Sequence, residues 1–242
     1  MLLWIAAAQA AASSIPSISA SSWPEHPYAE VSGSGVEIDG DLLVRNRTSV
    51  ERELSEIAVD VRDATGRLLQ RKELNGNGTS PSISLVTDRA LPANGALLVY
   101  NPFARFNADV QPARLDYRMT FTRKDGSDPV IASVSVTPRA EPLLRYAFPL
   151  RGRLLVWDGH DFASHHRRWN FLHPVLQSAG FNSTAARYSV DLIHVDADGR
   201  RSTGDEAQNE NWLAFNQPVY AVGSGEVVAV EGSHPDDRNF DV

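Results

Sequence analysis

The chain has 242 residues, 42% apolar and 22% charged, with glycine and proline near ordinary usage, so collagen-like and low-complexity architectures are excluded. Twenty-three basic against 30 acidic side chains leave a net charge of −7, concentrated from residue 149 onward, which argues against nucleic acid as a partner. There is no cysteine, so disulfides, thiolate metal sites and cysteine nucleophiles are excluded as well.

Leu2 to Ala12 is an apolar stretch broken only by Gln9. It is too short for the ~20 residues of a spanning helix. Small residues follow, with cleavage positions at Ala12 and Ala20. Residues 1–20 therefore read as a secretory signal, although no Lys or Arg precedes Arg45. An exported protein of the periplasm or cell envelope is expected, with no transmembrane span after signal cleavage. Residues 21–34, rich in Ser, Pro and Gly, read as a linker.

Residues 35–140 show period-two alternation punctuated by turn residues. Ile57, Val59 and Val61 lead to Asp63-Ala64-Thr65-Gly66, Leu97 to Tyr100 ends at Asn101-Pro102, and Tyr117, Met119 and Phe121 precede Lys124-Asp125-Gly126. Short strands at this spacing predict an antiparallel β-sandwich, with Val59, Val61, Val99, Tyr117 and Phe121 facing inward. Nothing catalytic stands out in it. Pro138 to Pro149 reads as a connector.

Residues 150–242 form a second unit. Leu154-Leu155-Val156-Trp157 is a buried-strand candidate, and a strand is expected over Arg187 to Leu192. Two more are expected over Pro218–Ala221 and Glu226–Val230. Asp196-Ala197-Asp198-Gly199 lacks the remaining ligand positions of a calcium loop and reads as a turn. The sequons at Asn46, Asn77 and Asn182 read as chance occurrences.

Chemistry concentrates in Asp158-Gly159-His160-Asp161-Phe162-Ala163-Ser164-His165-His166, with His173 close behind. Neutral imidazole is the commonest metal ligand, and irregular backbone can bring several nitrogens to one centre. Asp191 is a carboxylate among alternating apolar residues, so it needs a cation, a donor or a metal if it faces inward.

The string from Arg187-Tyr188-Ser189-Val190-Asp191-Leu192 to Pro218-Val219-Tyr220-Ala221-Val222-Gly223-Ser224-Gly225-Glu226-Val227-Val228 resembles the first half of a lysostaphin/LytM-type zinc endopeptidase domain. The resemblance covers about residues 150–242. It implies an all-β chain in which the sandwich precedes an incomplete LytM-like antiparallel β domain. It also implies zinc as cofactor and peptidoglycan peptides as substrate. The family's H-x-x-x-D motif matches Asp191, but its histidine position holds Arg187, which offers no lone pair. His166, His165 or His160 is then expected to supply the imidazole, with Asp191 as the carried-over ligand. Alternatively, Arg187 pairs with Asp191 as a structural ion pair. The family's second motif, H-x-H with its catalytic histidine, does not occur in these 242 residues, so no catalytic residue is assigned. The expectation is an exported zinc metalloendopeptidase of peptidoglycan whose 242 residues are inactive alone. The alternative is a non-catalytic envelope protein that binds peptidoglycan or regulates an amidase.

Overall fold

The computed structural model describes residues 16–32, 34–140 and 146–233. The chain divides between Ala140 and Glu141 into two units, and the fold is all-β with antiparallel sheets. The first unit contains β1 (Ile18–Ser32), β2 (Gly35–Asn46), β3 (Arg52–Arg62), β4 (Leu68–Leu74), β5 (Ala90–Leu91), β6 (Ala96–Val99), β7 (Arg105–Phe106), β8 (Arg114–Thr122) and β9 (Val130–Val136). One sheet runs β1-β2-β6 with β7 also on β2. The other runs β4-β3-β8-β9 with β5 also on β3.

Alternation selects the inner face of each sheet. On β8, Leu115, Tyr117, Met119 and Phe121 are buried while the residues between them are more exposed. They stand opposite Val61, Val59, Ile57 and Leu54 of β3. Leu54 and Ile57 are three residues apart, yet both are buried. A register shift between Leu54 and Glu56 adds the extra residue that makes this possible. Val36, Ile38, Leu42 and Val44 of β2 join the same cluster from the other sheet. Two sheets thus enclose one core, which gives each its second layer.

Two polar devices tie the sandwich loops. Asp63 Oδ1 accepts from the Thr65 amide at 2.9 Å, the Thr65 hydroxyl at 2.7 Å and the Arg67 amide at 3.0 Å. This Asx-type turn carries the chain from β3 to β4, with Gly66 at φ +86°. Asn46, 2% exposed, ends β2. Its Nδ2 donates to the Val50 and Pro92 carbonyls at 2.8 and 2.9 Å, and its Oδ1 accepts from Thr48.

The segment read as a linker over 21–34 is corrected here, because β1 runs through it from Ile18 to Ser32, paired along β2. Its polar composition suits a strand at the edge of a sheet, where only some side chains enter the core. Ile18 is 3% exposed, and Ala20 pairs with Val44. Cleavage after Ala20 would therefore remove a piece of the sandwich. The apolar run Leu2–Ala12 lies outside the described residues, and no helix among those described is long and apolar enough to cross a membrane.

The second unit contains β10 (Leu154–Asp158), the short helix α1 (Pro174–Ser178) and β11 (Asp191–His194). Strands β10 and β11 pair antiparallel. Phe171 is the one buried apolar residue of this unit among those described, against Ser164, His166, Arg167, Thr184 and Arg187 as buried polar ones. The strands expected over 218–221 and 226–230 are not formed. Val219, Val227 and Val228 are 76%, 79% and 90% exposed.

Candidate metal centre

Antiparallel pairing brings Asp158, the last residue of β10, directly opposite Asp191, the first of β11. Like charges directly opposite each other destabilise a strand pair unless cationic groups or donors offset them. The ladder steps from Val156 to Asp158 against Leu192 to Asp191, which makes Trp157 the extra residue of a bulge. Bulges re-aim side chains next to functional sites.

The chain after β10 folds back over these carboxylates through a tight turn. The Asp161 carboxylate accepts from the Ala163 amide at 3.0 Å, and the Arg168 amide donates to the His165 carbonyl at 3.0 Å. Asp158 accepts from the Gly159 amide at 2.8 Å and from the His165 amide at 3.4 Å, and it makes a close contact with His165 Nδ1. Desolvation works to raise the Asp158 pKa. It is outweighed by the Gly159 amide and by His165, so the carboxyl lies below its ordinary value and stays ionised.

His166 is 6% exposed. Its Nδ1 lies 3.1 Å from the Gly159 carbonyl and 3.2 Å from that of Ser189. Two carbonyls are acceptors only, so the proton belongs on Nδ1. Nε2 faces Asp191 Oδ1, 3.3 Å away. A histidine that donates one ring N–H to a backbone carbonyl while presenting the other nitrogen is the usual arrangement of a metal ligand. The distance fits too. Two donors about 2.0–2.1 Å from one ion at the tetrahedral angle lie about 3.3 Å apart.

The ligand atoms of Asp158, His165 and His166 all lie within 4.8 Å of one another. The two imidazole rings lie 4.1 Å apart between centroids, tilted by 49° to each other. Two nitrogens and one carboxylate thus converge, with Asp191 beside His166 but outside the three, a donor set suited to zinc and neighbouring divalent ions rather than to calcium or magnesium.

Other expected groups lie elsewhere. His160 packs at 6.4 Å from the Tyr188 ring and is not one of the three clustered residues. His173 caps α1, accepting from the Val175 amide. His194 occupies the far end of β11, opposite Leu154. Arg187 is not on a strand, because it lies buried in the turn over 185–188. Asp191 lies beside His166, its Oδ1 3.3 Å from Nε2. Asp158 went unrecognised in the sequence. The only signal for it was a carboxylate closing an apolar strand one residue before a Gly-His pair.

No family model and no curated relative matches the chain. Among solved structures, an X-ray structure of Northeast Structural Genomics Consortium target SoR45 is similar over 56% of this chain and 95% of its own. The identity is 15% and the TM-score 0.30, too loose a superposition to carry an argument.

Proposed function

We propose that the C-terminal unit is the zinc centre of an exported, LytM-type peptidoglycan endopeptidase, and that these 242 residues hold the metal without turning substrate over. The observation that carries the reading is His166, with Nδ1 on two carbonyls and Nε2 at 3.3 Å from Asp191. The resemblance of the Asp191 and Pro218–Val228 strings to the LytM family supports the substrate class. Zinc in such a site lowers the pKa of a bound water and polarises a peptide carbonyl.

The residues themselves decide whether that chemistry is open. Asp158, His165 and His166 already cluster, and with Asp191 drawn in beside His166 the four would fill a tetrahedral shell and leave no water position. A closed shell binds and does not hydrolyse. His165 is the most exposed of the four, its side chain 58% accessible against 44% for Asp191, and is the donor most readily displaced. The Arg187 position favours the second reading, a non-catalytic envelope protein, because an arginine there removes a ligand of the family's active centre.

Metal analysis and cell-wall digestion test both halves. Purified protein should retain about one zinc, His166→Ala and Asp191→Ala should each lose at least ten-fold in affinity, and His165→Ala should keep the metal with weaker binding. Wild-type protein with added zinc should release no labelled muropeptide. Full zinc occupancy in Asp191→Ala would refute the site, and chelator-sensitive release would refute the closed shell.

A further inference from the structure

Trp157, the extra residue of the β10 bulge, is 57% exposed, yet it is held in place. The Arg201 guanidinium lies 5.1 Å from the Trp157 ring centroid and 5.0 Å from that of Trp212. Glu206 grips the same guanidinium by two parallel bonds, to Nε at 2.9 Å and Nη2 at 2.7 Å. The Glu206 backbone carbonyl accepts from Trp212 Nε1 at 2.8 Å, and the Leu213 amide donates to the Arg201 carbonyl at 2.9 Å. The loop therefore clamps two indoles and one arginine into a single preorganised surface.

We propose that this Trp157–Arg201–Trp212 surface is a platform for a neutral oligosaccharide. A pyranose ring has an apolar C–H face and a rim of hydroxyls. The indole suits the face, while Ser202, Glu206 and the arginine fork suit the rim. Arg201 and Glu206 cancel each other's charge, and the chain around them is acidic, so anionic polymers gain nothing here. A purely apolar partner would have to desolvate an ion pair. The platform goes beyond the metal reading and does not depend on it.

The test uses the 242-residue protein and tetra-N-acetylchitotetraose, an uncharged saccharide, followed by tryptophan fluorescence and calorimetry. Wild type should show saturable binding, weakened at least ten-fold in Trp157→Ala and less in Trp157→Tyr, which keeps a ring, with far-UV circular dichroism unchanged. In wild-type protein the saccharide should also shield Trp157 from N-bromosuccinimide oxidation, read by peptide mass spectrometry, a measurement that requires no variant to fold. Chelated protein should bind equally well. Absence of saturable binding, equal affinity in a folded Trp157→Ala, no shielding of Trp157, or tighter binding of poly-dA would each overturn the proposal.

Discussion

Asp63 illustrates how much a single exposed side chain can be perturbed by its own turn. The Thr65 hydroxyl, ahead of Arg67 and the backbone amides, draws its pKa from 3.8 to about 2. A folded-state pKa below the unfolded value means a contribution to stability that is present above about pH 4. That contribution is lost as pH falls through about 2. An NMR titration of the Asp63 carboxyl should give a midpoint near 2 in wild type and a rise toward 3.8 in Thr65→Ala; an unshifted midpoint in wild type would contradict the turn. The residue scale also shows what the sequence made visible at the candidate metal centre. His166 and Asp191 stand out because an imidazole cluster and a carboxylate in an apolar alternation are both chemically conspicuous. Asp158 does not stand out, because its role depends on a pairing partner 33 positions away and on a bulge that alternation alone does not reveal.

At the scale of elements, the hairpin between β1 and β2 depends on one glycine. Gly35 has φ +143°, and a Cβ there would lie 2.2 Å from the Phe106 carbonyl oxygen of β7. The close approach is what lets β7 add to the end of β2, where Phe106 pairs with Val36. Gly35→Ala should destabilise the sandwich by about 1–3 kcal/mol from backbone strain alone. A urea midpoint unchanged from wild type would show that the hairpin tolerates the methyl group. Inner-face alternation on β8 was readable because both faces of a half-buried strand differ in polarity. β1 was not, because its Ser- and Pro-containing stretch has linker composition and is held by a partner strand. Residues 218–230 failed in the other direction. Their alternation is strand-like, but a strand needs a ladder of backbone partners, and among the described residues only Tyr220 and Val222 find them, at Pro149 and Ala147, too few to make a strand.

Considered whole, the molecule joins units of very different cohesion. Twenty-two buried apolar residues form the sandwich cluster, whereas Phe171 alone plays that part in the described second unit. A unit with so small an apolar core relies on polar links or a bound ion. Calorimetry should therefore resolve two transitions, and zinc should raise the lower one only. At a free concentration 100 times Kd, linkage stabilises that unit by about 2.7 kcal/mol. One zinc-independent transition would contradict this division. The unit boundary at Ala140 lies within the proline-containing connector because chain breakers leave a mark in composition. The weakness of the second core leaves a fainter one, since its apolar residues are present in the sequence but are not packed.

The Asn46 latch has a consequence for how the protein is made. Asn46-Arg47-Thr48 is an acceptor sequence for N-glycosylation, a modification that reaches the chain before it folds. The nitrogen that would carry the sugar is the same Nδ2 that donates to both Val50 and Pro92 from a site 2% exposed. A glycan there leaves at least one of those carbonyls unmet and has no room inside the sandwich. Production in a eukaryotic secretory host thus sets modification against folding, whereas a bacterial host leaves the asparagine free to close the loop.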